Sequence, residues 1–188
     1  MARPRVAIYL ALSLDGFIAR EDGSLGWLER VQAEGEDYGY AAFFAGIDAV
    51  LLGRKTFDTV LGFGAWPYEG KAVYVLSSRA LGELPGFVPR DAAGPARVSG
   101  PIEAVLGLIS SEGRLSVYLD GGETARQALA AGLVDEMTLS IVPTLLGRGR
   151  PLFGPELPFS EWELLSARSF PSGLVQARYA PAKTAPRG

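Results

Sequence analysis

Two stretches of this chain place glycine, hydroxyl and basic residues directly after an apolar run: Leu51-Leu52-Gly53-Arg54-Lys55-Thr56-Phe57 and Tyr118-Leu119-Asp120-Gly121-Gly122-Glu123-Thr124. Both read as a strand, a glycine, and the first turn of a helix. A helix N-terminus presents unpaired N–H groups and about half a positive charge, and glycine lets a phosphate come close to the backbone. Each stretch taken alone reads equally well as a turn glycine followed by a capping threonine. Together, at the carboxyl ends of strands in one sheet, they favour a ligand site, because open α/β sheets bind there. Neither has the spacing of a Walker loop or of GxGxxG, which argues against an ordinary nucleotide triphosphatase or Rossmann dehydrogenase.

Acid/base chemistry falls to a short set of residues. The chain has no histidine and no cysteine, which excludes a disulfide framework, a thiolate nucleophile, a histidine triad and the usual zinc site, and no metal is expected. Carboxylates, lysine and tyrosine remain. Asp120 ends an apolar strand just before two glycines, so it either points into a cleft or caps the helix. Asp15 sits in the turn after the first strand, as a turn residue or a ligand contact. Asp37, within Glu34-Gly35-Glu36-Asp37, is a candidate acid or part of a solvated acidic turn. Trp27, Tyr38 and Tyr40 are able to wall a flat heterocycle by stacking, or to fill the core. Glu123 would repel a pyrophosphate unless its side chain turns toward solvent.

The elements that must position these residues follow from periodicity. Val6–Leu14 reads as a buried strand stopped by Asp15-Gly16. Apolar positions from Gly26 to Ala45 suit a helix, weakened or split by Gly35 and Gly39. Residues 48–52 read as a buried strand, followed by a short helix from Arg54 to about Leu61, and residues 72–76 as another strand with Ser77-Ser78-Arg79 as its polar end. The Gly- and Pro-rich stretch from Gly82 to Pro101 holds one short strand near Val98. A helix opens at Pro101 and a strand spans residues 115–120. An alanine-rich helix from Glu123 to Ala131 is closed by Gly132, and a strand covers Met137–Leu145. Trp162–Phe170 and Leu174–Tyr179 form a terminal hairpin around Pro171-Ser172-Gly173.

Alternating strands and helices predict a three-layer α/β sandwich with a mixed, mostly parallel sheet and an antiparallel C-terminal hairpin. At 188 residues and 48% hydrophobic content, residues 1–180 are expected to form one domain and 181–188 a disordered tail. A net charge of −3 speaks against nucleic acid as a partner. The N-terminus shows no apolar stretch fit for a signal peptide or membrane helix, so a soluble cytoplasmic protein without a membrane partner is expected. The late strands suit a homodimer interface.

The ordered set Gly53-Arg54-Lys55-Thr56-Phe57, Leu76-Ser77-Ser78-Arg79 and Gly121-Gly122 resembles the dihydrofolate reductase fold. Ser13-Leu14-Asp15-Gly16-Phe17-Ile18-Ala19, Asp120-Gly121-Gly122 and the run from Pro143 through Gly147-Arg148-Gly149-Arg150-Pro151 to Phe153 look like its riboflavin-biosynthesis reductase branch. The resemblance implies NADPH as cofactor. It places Gly53, Arg54, Lys55 and Thr56 at the pyrophosphate and 2′-phosphate, and Ser77, Ser78 and Arg79 beside the adenosine. Gly121 and Gly122, with Glu123 and Thr124 after them, fall at the pyrophosphate and nicotinamide side. Arg54, Lys55 and Arg79 supply the positive charge that a 2′-phosphate needs, and read otherwise as solvated cations. The resemblance also implies a cis peptide between Gly121 and Gly122.

On the substrate side the resemblance puts Asp37 near the position of a substrate-binding carboxylate, while the branch tends to carry glutamate where this chain has Asp120. Asp37 and Asp120 are therefore the catalytic candidates, and Asp15, Trp27 and Tyr38 the substrate-binding ones. The implied activity is hydride transfer from NADPH to a small pterin-like or ribosylaminopyrimidine-like substrate. The competing readings are a non-catalytic NADPH-binding module and a purely structural homodimer subunit.

Overall fold

The computed structural model of the chain describes residues 3–90 and 94–182. Strand β1 (Arg5–Ser13), the short β2 (Phe17–Ala19), a 3-10 turn over Gly26–Val31 and helix α1 (Tyr40–Ala45) come first. There follow β3 (Ala49–Gly53), α2 (Arg54–Leu61), β4 (Ala72–Leu76), β5 (Ala96–Val98), α3 (Ile102–Ser111), β6 (Ser116–Asp120) and α4 (Gly122–Ala130). The chain continues with β7 (Glu136–Val142), β8 (Arg150–Pro151), β9 (Trp162–Ser169) and β10 (Val175–Pro181). Eight strands form one sheet in the order β5-β4-β3-β6-β1-β7-β10-β9, while β2 and β8 pair separately. Every pairing from β5 to β7 is parallel, and β10 pairs antiparallel with both β7 and β9.

The central strands are buried on both faces, which is why Ala49-Val50-Leu51-Leu52 shows no polar alternation. Alternation instead sorts side chains between two layers. On β6, Val117 and Leu119 pack with Ile102, Leu106 and Ala125 of α3 and α4, while Tyr118 packs on the other face with Phe57 and Val60 of α2. Full burial of Phe57 or Leu119 contributes about 2–3 kcal/mol each. Three layers result, as the sequence pattern predicts.

Three departures matter for the site. The expected helix from Gly26 to Ala45 is a 3-10 turn and a six-residue helix, separated by an irregular segment. Gly35, Gly39 and Tyr38 there take φ of +75°, +85° and +57°, values no right-handed helix accommodates. The β2–β8 pair carries no sequence signal, because runs of three and two residues are too short for periodicity. At the other end, β10 runs to Pro181, and Ala182 donates its N–H to the Glu161 carbonyl, whereas residues 183–188 of the expected tail lie outside the described residues.

Candidate active site

Strand register brings the site together. Gly53 lies opposite Leu76, and Leu52 opposite Asp120, so β3, β4 and β6 end side by side. At this edge runs a groove of about 590 Å³ that gathers six of the expected residues: Lys55, Thr56, Asp120, Gly121, Gly122 and Glu123. Its floor demands glycine. Gly121 has φ +88°, and a Cβ there would stand 2.0 Å from Thr56 Oγ1; one on Gly122 would stand 2.4 Å from Ile18 Cδ1. The expected cis peptide is not found, since every peptide bond among the described residues is trans. Gly121's positive φ turns the chain from β6 into α4 instead.

Helix α4 opens onto this floor. Thr124 is fully buried beneath it, its hydroxyl 3.1 Å from the Asp120 carbonyl oxygen that it serves as donor. Glu123 turns along the helix, where Gln127 and Arg126 each donate to it at 3.0 Å and hold its carboxyl below the usual range. The charge that would oppose a pyrophosphate is thereby partly compensated. Two cations of the groove were missed in the sequence, Arg126 and Arg150. Arg126 donates to the Pro151 carbonyl at 2.6 Å, tying α4 to β8, and Arg150 packs its guanidinium over Gly23. The spacing Gly122-x-x-x-Arg126, one helical turn, was the signal available for the first.

Gly53, Arg54, Ser77, Ser78 and Arg79 stand beside the groove rather than along its lining. Arg54 pairs with Asp58 at 2.8 Å and donates to the Ala80 carbonyl at 2.7 Å, joining α2 to the turn after β4. In that turn the Ser77 hydroxyl accepts the Arg79 N–H at 3.1 Å, leaving the Ser78 and Arg79 side chains exposed.

Asp120 shares a face with Tyr118, two residues before it, and so meets the aromatic layer over α2. The Tyr68 hydroxyl donates to its carboxylate. Burial pushes the Asp120 carboxyl up, against the opposing pull of the Tyr68 and Tyr118 hydroxyls and the Gly121 N–H. Burial and the neighbouring Asp120 also raise the phenols of Tyr40, Tyr68 and Tyr118. Tyr68 and Tyr118 were not singled out in the sequence; the strand period of two relating Tyr118 to Asp120 was the available clue.

A second cavity, of about 750 Å³, adjoins the groove, and Ala11 and Leu28 line both. Tyr9, Tyr38 and Tyr40 wall it, and Glu34, Glu36 and Asp37 edge it. Asp37 accepts the N–H groups of Ala41 and Gly39 at 2.9 and 2.8 Å, which hold its carboxyl low. Trp27 is not in this lining; it packs behind it with Val31, Val142 and Phe170. Asp15 lies outside both cavities. The Ser13 hydroxyl donates to it at 2.6 Å and the N–H groups of Leu146 and Gly147 at 3.1 and 2.7 Å, lowering its carboxyl to about 2.

Residues 101–176 match the RibD C-terminal domain. A Shewanella sp. PV-4 crystal structure ascribed to riboflavin biosynthesis is 32% identical, with a TM-score of 0.85 over 95% of this chain and 99% of that one. A diaminohydroxyphosphoribosylaminopyrimidine deaminase/5-amino-6-(5-phosphoribosylamino)uracil reductase from Thermotoga maritima superposes at 0.73 with 15% identity, over 96% of this chain and 57% of its own. Dihydrofolate reductase from Enterococcus faecalis, complexed with NADP(H) and RAB-propyl, superposes at 0.62 with 18% identity, over 95% and 97%. The fold is that of dihydrofolate reductase. Among the described residues no helix is long and apolar enough to cross a membrane.

Proposed function

The chain belongs to the RibD C-terminal domain family, and from that premise we propose that it is an NADPH-dependent reductase of a small pterin-like or ribosylaminopyrimidine-like heterocycle. The observation that carries this reading is the pair of cavities meeting at Ala11 and Leu28, one setting Lys55, Arg126 and Arg150 beside a helix N-terminus among Asp120, Glu123 and Glu156, the other walled by aromatic rings and edged by acids. The first fits a dinucleotide. Lys55, Arg126, Arg150 and the N–H groups opening α4 suit the pyrophosphate, with Thr56, Gly121, Gly122 and Glu123 at the same floor and Thr124 securing it from below. Gly53, Arg54, Ser77, Ser78 and Arg79 serve the adenosine end, where Arg54 and Arg79 favour a 2′-phosphate.

When bound, NADPH supplies a hydride from its nicotinamide. Asp120, pushed up by burial, keeps a proton to higher pH than an exposed aspartate and holds it at the groove floor, braced by Tyr68. Asp37 remains ionised and faces the second cavity as an acceptor for substrate N–H groups, since each of its oxygens has a lone pair beyond the backbone bonds. Tyr38 forms the ring-stacking wall, Trp27 supports it from behind, and Asp15 acts at a distance by fixing the loop after β7. The setting is proposed to be cytoplasmic. The assembly is proposed to be a homodimer through β9 and β10, where Leu164 and Leu165 are exposed on the sheet edge.

Titration with NADPH, followed by cofactor fluorescence, tests the cofactor, and absence of binding at millimolar concentration overturns the reading. NADPH consumption with dihydrofolate or a ribitylaminopyrimidine tests catalysis. Tight binding without turnover of either class points to a binding module instead.

A further inference from the structure

Resting on the reductase reading of the two cavities, we infer that the aromatic chamber takes a neutral or cationic flat heterocycle and does not admit a phosphate. Among the described residues no lysine or arginine lines this chamber. The segment between the 3-10 turn and α1 instead turns three acids toward it, Glu34, Glu36 and Asp37. Two of them are held in place: Glu36 accepts the Tyr38 N–H at 2.7 Å, and Asp37 accepts those of Gly39 and Ala41 at 2.8 and 2.9 Å. The remaining walls, mainly Tyr9, Tyr38, Tyr40, Val142 and Leu174, offer ring faces and apolar surface.

The cations of the site stand elsewhere. Lys55, Arg126 and Arg150 all line the neighbouring groove. Arg5, Arg168 and Arg178 line a cleft behind Tyr9 and Tyr38, but Arg5 and Arg178 both pair with Glu136, at 2.7 and 2.9 Å, and Arg168 lies 4.6 Å over the Phe170 ring. The chamber thus carries acids without a cation, whereas the groove sets Lys55, Arg126 and Arg150 among Asp120, Glu123 and Glu156, with Arg126 paired to both glutamates. A phosphate dianion in the chamber would face fixed like charges with no counter-cation, whereas an amino or protonated ring nitrogen would gain. The phosphoribosyl compound in the name of the Thermotoga maritima neighbour is the kind of ligand this chamber is built to reject.

The test uses the full chain. Calorimetric titration of NADPH comes first, and its failure overturns the reductase reading and this inference together. The NADP⁺-loaded protein is then titrated with a ribosylaminopyrimidine nucleoside and with its 5′-phosphate. The nucleoside is expected to bind about tenfold or more tightly than its phosphate, and Glu34→Lys to narrow that gap by tightening the phosphate. Equal or tighter binding of the 5′-phosphate, no binding of either ligand while NADPH still binds, or a gap unchanged by Glu34→Lys overturns the inference and leaves the cofactor reading standing.

Discussion

Asp120 ends β6 and Arg54 follows the end of the neighbouring strand β3, and the two differ in charge and in burial. For Asp120, burial raises the folded-state pKa above the unfolded value, so the stability tied to its proton is fully present below the unfolded pKa and is lost as pH rises through the folded one. Asp120→Asn, which cannot ionise, should therefore gain urea resistance relative to wild type as pH is raised, and an unchanging difference would contradict the raised carboxyl. The same variant should lower turnover by about 100-fold while leaving NADPH affinity within about twofold, if the carboxyl serves the substrate. Arg54→Ala should weaken NADPH by about tenfold and NADH little, measured by fluorescence titration. Equal losses would show that Arg54 only bridges α2 to the Ala80 carbonyl. These residues were legible because glycine, charge and strand end stand together in sequence. Tyr68 was not, since nothing in the sequence around it says that its hydroxyl reaches a carboxylate 52 positions away.

Among the elements, the β6–α4 turn depends on two glycines for different reasons. Gly121→Ala forces a methyl against the β-branched Thr56 at a positive φ and should cost about 2–4 kcal/mol by urea denaturation. Gly122→Ala meets the far ends of the Ile18 and Arg126 side chains, and the propensity gained inside α4 offsets part of that, so a loss below about 2 kcal/mol is expected. Asp15, which pins the loop after β7 to the turn after β1, has the opposite linkage to Asp120. Its folded pKa is depressed to about 2, so its stabilisation is present above the unfolded value and disappears as pH falls through about 2. Urea midpoints of wild type and Asp15→Ala should differ at neutral pH and converge on acidification. At this scale the sequence was readable wherever a run was long, as in β1, α3 and the β9–β10 hairpin. It failed between Val31 and Tyr40, where apolar spacing suggested a helix but three positive φ angles prevent one.

For the molecule as a whole, the alternation of strand and helix carried enough information for a mostly parallel sheet, because each parallel connection needs a crossover. Strand order was less accessible: β6 inserts between β3 and β1, a long-range pairing that no local pattern encodes, and that insertion sets Asp120 beside Tyr40 and Tyr68 from two other parts of the chain. If β9 and β10 form the homodimer surface, Leu164→Lys combined with Leu165→Lys should shift sedimentation to the monomer without loss of helical signal, and an unchanged sedimentation coefficient would move the interface elsewhere.

The segment from Gln32 to Gly39 contributes no strand to the sheet, yet it supplies all three acids of the chamber. If the chamber binds the substrate, ligand preference is concentrated in a short cassette outside the sheet. Provided Asp37 is kept to accept the Ala41 N–H of α1 and Tyr38 to bond the Ser172 hydroxyl before β10, the cassette could diverge between relatives, or be randomised in a selection, while the groove stays intact.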